Sequence, residues 1–140
     1  MAEPLYFEDA AEGGAGQPVR HTLTRTDLVM YAGASGDFNP MHHDEVSAQA
    51  AGLPSVFGHG MFTAGLLATA ITNFVGIGSL RRYQVRFTRQ TWPGEELTTS
   101  VVIKERRPEA HEVVLECAVV NQDGEPKITG EAVALLPSRA

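Results

Sequence analysis

The run Gly36-Asp37-Phe38-Asn39-Pro40-Met41-His42 sets a carboxylate and an imidazole five residues apart, with a proline between them. A carboxylate and an imidazole that share one water or hydroxyl work as a general acid/base pair, each contributing about 10²–10⁴-fold when well placed. The proline stiffens the spacer, and Asn39 can bond the loop's own backbone. Asp, Asn and Pro are also ordinary turn residues. The local pattern therefore leaves open a second reading, in which Asp37 caps a turn and His42 starts the next helix. A metal reading draws on His42, His43, Asp44 and His59. His42 and His43 are adjacent and point apart in any regular element, and the helical i, i+4 histidine pairing of zinc hydrolases is missing, so no metal is expected.

Phe57-Gly58-His59-Gly60-Met61 is the second chemistry-bearing run. It precedes an apolar segment with helical character, and a helix N-terminus offers unpaired N–H groups and a positive dipole end. Glycines on both sides of His59 let a carbonyl group approach the backbone closely. The Gly60 N–H is then a candidate oxyanion donor for a carbonyl oxygen gaining negative charge. The alternative is a plain glycine turn with His59 packed as a satisfied polar residue. Other nucleophile signatures are weak: there is no Gly-x-Ser-x-Gly elbow and no phosphate-binding glycine loop after a strand. Arg81, Arg82, Arg86 and Arg89 could meet the phosphates of a cofactor-like tail, and a solvated strand face is the better account of most of them.

These residues need elements to hold them. Thr26 and Asp27 are expected to open a short helix with Leu28, Tyr31 and Ala32 on one side, ending near Gly33–Gly36. Pro40 stops its continuation. A second short helix is expected from about Asp44 to Gly52. Val46 to Leu80 contains no Asp, Glu, Lys or Arg. Within it, Met61 to Val75 reads as a helix apolar or small almost all round, hence buried on all sides. It is shorter than the ~20 apolar residues of a membrane span, so no membrane association is expected. Tyr83, Val85 and Phe87, then Leu97 to Ile103, Val113 to Val119 and Ile128 to Leu136, read as four long strands. Trp92-Pro93-Gly94, Arg107-Pro108 and Asp123-Gly124 separate them. The class is α+β: a curved antiparallel sheet folded around a buried central helix.

With 140 residues, 43% of them hydrophobic and 20% charged, the chain is expected to form one domain over 1–140. A net charge of −6 argues against a nucleic-acid partner. The single cysteine, Cys117, excludes a disulfide framework and reads as a buried thiol in a strand. Met1-Ala2-Glu3-Pro4 carries no signal-peptide pattern, and a cytoplasmic protein is the expectation.

Taken together, Tyr31 to His42, His59-Gly60-Met61, Val85-Arg86-Phe87 and Trp92-Pro93-Gly94-Glu95 resemble the motifs of the MaoC-like dehydratases. That family includes the (R)-specific enoyl-CoA hydratases, and the chain also resembles the catalytic β subunit of the mycobacterial-type 3-hydroxyacyl-ACP dehydratase of fatty acid synthase II. The motifs match in order and spacing over roughly Thr22 to Leu136. The resemblance implies a hot-dog fold, with Asp37 and His42 as the catalytic pair, the Gly60 N–H as oxyanion donor, and Asn39 and His59 as positioning residues. It implies an (R)-3-hydroxyacyl thioester dehydratase working in either direction. No metal or redox cofactor is expected, and coenzyme A or acyl carrier protein arrives as part of the substrate. An edge strand left by one sheet around one helix points to a homodimer, or a heterodimer with a second hot-dog subunit. A non-catalytic partner subunit and a hot-dog thioesterase are the competing readings. Met41 and Gln90-Thr91 depart slightly from the family pattern, the latter where an acyl tunnel or partner surface is expected.

Overall fold

A computed structural model describes residues 3–140. Helix α1 spans Arg25–Ser35, α2 Glu45–Ala50 and α3 Gly60–Val75; the strands are β1 (Arg20–Thr22), β2 (Leu80–Phe87), β3 (Glu96–Arg107), β4 (Glu112–Val120) and β5 (Pro126–Leu135). The five strands form one antiparallel sheet in the order β1-β3-β4-β5-β2. β2 leaves α3 and pairs with the last strand, so the sheet closes over the helix that precedes it. β1 is a strand the sequence reading missed. It is three residues long, pairs only with β3, and has no alternation to announce it.

The inward positions of the long strands alternate as expected. Leu97, Val101 and Ile103 of β3, Val113, Leu115, Cys117 and Val119 of β4, and Ile128, Ala132 and Ala134 of β5 form one core with Ala64, Leu67, Ala70, Ile71 and Val75 of α3. Each fully buried large aliphatic side chain here contributes about 1.5–3 kcal/mol. The Tyr83 hydroxyl donates to the Ala64 carbonyl (2.7 Å), tying β2 to the helix, and burial pushes its pKa upward. Cys117 lies in the core as expected, its thiol pushed up to about 11 by burial and by Glu116 and Glu131 nearby.

Helix α3 is not buried all round. Met61 is 60% exposed, and Gly65, Thr69 and Asn73 continue the same stripe into solvent. Small and weakly polar residues every fourth position make an open face that carries no charge, and a count of charges alone reads it as interior. Helix α1 also begins slightly earlier than expected. Thr24 is its N-cap, and Thr24 and Asp27 exchange hydrogen bonds in a capping box, so Asp27 sits at the third helical position. Helix α2 is capped by Asp44, which accepts from the Val46 and Ser47 N–H groups.

Candidate active site

Helix α1 ends at Gly36, whose left-handed φ of 76° suits glycine, and whose N–H closes on the Ala32 carbonyl. The chain then makes two side-chain turns in succession. Asp37 Oδ1 accepts from the Asn39 N–H (3.2 Å), and Asn39 Oδ1 accepts from the Met41 N–H (3.1 Å), opening a 3-10 turn over Pro40–His42 with the proline at its start. Asp37 thus does serve as a turn residue. That use engages only one carboxylate oxygen, and the side chain remains exposed.

His42 is 8% exposed and approaches the Phe57 carbonyl with Nδ1 at 2.6 Å. A carbonyl only accepts, so Nδ1 carries the proton and the neutral ring presents a lone pair at Nε2. His59 is more deeply buried, 2% exposed, and its Nε2 donates to the Asp37 carbonyl at 3.1 Å. The two imidazoles stack with centroids 3.8 Å apart and planes 28° from parallel, while Tyr31 meets His59 edge-on at 4.9 Å. Burial lowers the His59 pKa; the Asp37 carbonyl opposes this and the neighbouring His42 adds to it. Nitrogen and carboxylate atoms of Asp37, His42 and His59 all lie within 4.8 Å of one another. Segments 37–42 and 57–60 therefore converge, although 15 or more residues separate their contacting members.

His59 is also the N-cap of α3, but its side chain makes no capping bond. The Gly60 N–H finds no acceptor among the described residues, and Gly60 is exposed to solvent. A Cβ at position 60 would come within 2.8–2.9 Å of the Phe87 ring, so only glycine leaves this N–H open without displacing that ring. Next to it lies a cavity of about 340 Å³, lined by Phe57, Gly60, Thr63 and Phe87 and by Gln90 and Thr91 opposite. The Gly58 N–H donates to the Thr91 carbonyl (2.8 Å), and the Thr91 side chain leaves no room for a Cβ at Gly58. The glycines before and after His59 thus have separate tasks: the first permits a close strand contact, the second exposes a donor.

The same three side chains are near enough to be tested as a metal site. A histidine offers a metal its lone pair in the plane of the ring, at about 2.0–2.1 Å. Two rings stacked 28° from parallel keep their lone pairs in separate, gently inclined planes, so the set fits an ion poorly. Of the other candidate ligands, His43 is exposed and outside the cluster, and Asp44 is occupied in capping α2.

A family model described as a MaoC like domain matches residues 7–123, spanning both converging segments. The chain belongs to the MaoC-like dehydratase family. This MaoC-like chain is 31% identical over 138 residues to an (R)-specific enoyl-CoA hydratase of Rhodospirillum rubrum, covering 96% of the chain and 93% of the relative. It is 33% identical over 105 residues to 3-hydroxyacyl-thioester dehydratase Y of Mycobacterium tuberculosis, covering 72% of the chain and 35% of that protein. Among solved structures, an R-hydratase from Pseudomonas aeruginosa in the unliganded form superposes with a TM-score of 0.88 at 27% identity, covering 97% of this chain and 88% of that one. The fold is accordingly the hot-dog fold.

Three features of this MaoC-like site went unread in the sequence. The Phe57 carbonyl and Thr63 carry no chemical signature of their own. Lys127 lines the cavity yet is only 2% exposed, held by Glu95 at 2.9 Å. Of the arginine group, Arg81, Arg82 and Arg86 lie exposed along β2, whereas Arg89 lies beyond the strand, lines the cavity and pairs with Glu125 at 3.1 Å. No helix of the described residues is long and apolar enough to cross a membrane.

Proposed function

We propose that this chain is a hydro-lyase that interconverts an (R)-3-hydroxyacyl thioester and a trans-2-enoyl thioester plus water. The observation that carries the reading is the convergence of Asp37 and His42 beside an uncapped helix N-terminus, with His42 Nε2 and the Gly60 N–H both left without partners among the described residues. Membership of the family and likeness to proteins named as hydratases and dehydratases support it.

In the dehydration direction the α-proton leaves, the β-hydroxyl departs as water, and the thioester oxygen gains enolate character between the two events. The α-proton is too weakly acidic for removal unaided. The Gly60 N–H, at the positive end of α3, stabilises that oxygen, a role worth about 2.7–4 kcal/mol for one such donor. In the hydration direction Asp37 and His42 hold one water between them. One proton leaves that water as its oxygen bonds the β-carbon, and a proton is delivered to the α-carbon. The two groups act on that water as a pair. Asn39 and His59 position the substrate indirectly, by fixing the groups that meet it.

The reading needs no metal or redox cofactor. Coenzyme A or acyl carrier protein enters as the carrier of the acyl group. One MaoC-like domain over 1–140 holds the machinery, and the eight-residue edge strand β2, paired on one side only by β5, is the natural seam for a second hot-dog subunit, identical or not.

The test follows the enoyl absorbance of a trans-2-enoyl-CoA and free thiol in the same cuvette. Loss of enoyl absorbance without thiol release is expected. Thiol release would make the protein a thioesterase, and silence in both channels from folded protein would make it a binding or partner subunit.

A further inference from the structure

We infer that His59 is a positioning residue that couples the two catalytic groups, holding Asp37 by its backbone and His42 by its ring face, and that it works as a neutral imidazole. The inference rests on the hydration reading and deepens it.

His59 has one polar bond and two faces in use. Its Nε2 is 3.1 Å from the Asp37 carbonyl, and an acceptor there obliges Nε2 to carry the proton. The remaining nitrogen, Nδ1, is buried and meets no partner among the described residues. A second proton on the ring would place an unsatisfied, charged donor at that buried atom. Burial acts in the same direction. The neutral Nε2–H tautomer is thus the form the surroundings accept.

Neutrality matters because of what lies on the ring. His42 stacks on His59 at 3.8 Å, and a cation in that position would oppose every proton His42 takes up. A neutral ring gives His42 a flat wall without a competing charge. Tyr31, edge-on at 4.9 Å, keeps His59 in place against α1. The Nε2–H meanwhile pins the backbone of Asp37, 22 residues away, in a loop otherwise held at Asp37 by contacts to Ser35 and Asn39 alone. One side chain therefore sets the separation between carboxylate and imidazole. Its 2% exposure keeps it from meeting substrate directly.

Two substitutions divide the role. His59→Phe keeps a flat ring under His42 and loses the bond to Asp37; His59→Gln keeps an N–H donor and loses the stack. Each is expected to lower kcat by about 10- to 100-fold with KM unchanged, the cost of a misplaced catalytic pair. Long-range ¹H–¹⁵N spectra of the wild-type protein at neutral pH should show His59 as the neutral Nε2–H tautomer and His42 protonated at Nδ1. The inference fails if either folded variant keeps wild-type kcat, or if KM rises at constant kcat, which would mean contact with substrate. It also fails if His59 is cationic or carries its proton on Nδ1, a result that needs no variant to fold. A wild-type protein that hydrates no enoyl thioester would overturn the hydration reading instead, and the tautomer would still decide whether His59 is the neutral clamp described.

Discussion

Two clusters of ionisable side chains are built on opposite rules: one joins the wall of the cavity next to Gly60 through Lys127, and the other adjoins that cavity through Gly60 itself. On the sheet side, Glu95 accepts from the Trp92 N–H (2.7 Å), Asn121 Nδ2 (2.7 Å) and Lys127 Nζ (2.9 Å). Lys127 also donates to the Gln90 carbonyl at 2.9 Å and reaches Glu125 at 3.4 Å. Glu95 and Lys127 are 9% and 2% exposed; both Glu95 oxygens accept, and the Lys127 ammonium has a partner for each of its three N–H groups. On the helix side, one Asp37 carboxylate oxygen, His42 Nε2 and the Gly60 N–H have no partner among the described residues. A satisfied polar cluster stiffens a wall; one with convergent vacant groups has something left to offer a ligand. The bonds of the first cluster run to Gln90 and the Trp92 turn, and Thr91 between them grips Gly58. The saturated cluster thus holds the strap against which the unsaturated one is placed.

The sharpest way to break this contrast is to remove the vacant groups. Asp37→Asn and His42→Ala should each lower kcat by about 10²–10⁴-fold in enoyl-thioester hydration, with melting temperatures near wild type. Near wild-type turnover from either would end the acid/base assignment.

Next in size is the backbone donor. Gly60→Pro deletes the N–H at the first helical position, where proline is well tolerated, and His59 already has the extended ψ of 130° that precedes proline comfortably. The Phe87 ring must swing aside, which its 53% exposure allows. A fall in kcat of about 10²–10³-fold is expected, against a clearly smaller one for Gly60→Ala, which displaces the ring but keeps the donor. Equal losses from the two would assign the effect to Phe87.

The saturated cluster should answer in stability. Lys127→Met leaves Glu95 buried without its cation, costing about 3–5 kcal/mol and lowering Tm by on the order of 10 °C. Burial alone would raise the Glu95 pKa, but the bonds from Asn121, Lys127 and Trp92 bring it below its ordinary value. A depressed carboxylate contributes stability above its unfolded pKa and loses it as pH falls through the folded one. Wild-type Tm, followed by calorimetry, should decline through that acidic range, and the Lys127→Met protein should lose much of this dependence. Lost activity at unchanged Tm would move Lys127 into the site. The smallest effect concerns Cys117: with its thiol pushed up to about 11 inside the core, alkylation at mildly alkaline pH should be negligible until the protein unfolds.

The parts of this arrangement legible in the sequence are those whose signals are local. Asp37, Asn39 and Pro40 mark their own turn, Gly60 marks a helix start, and the alternation of β3, β4 and β5 marks an inward face. Contacts such as His42 with the Phe57 carbonyl and His59 with the Asp37 carbonyl leave no local trace, because backbone acceptors look alike in any sequence. Nothing local in the sequence pairs Lys127 with Glu95, since only the tertiary fold makes each the other's partner. β1 was missed for want of length. The open stripe of α3 was missed because Gly65, Thr69 and Asn73 are small or uncharged, and such residues suit water and a covering partner alike.

Product analysis in D₂O tests the central claim most directly. Wild-type protein given a trans-2-enoyl-CoA should yield the (R)-3-hydroxyacyl-CoA with deuterium incorporated at the α-carbon and the thioester intact, and the Asp37→Asn protein should yield almost none. A free carboxylic acid, an (S)-alcohol, or unchanged product formation by the variant would contradict the assignment of Asp37, His42 and the Gly60 N–H to thioester hydration.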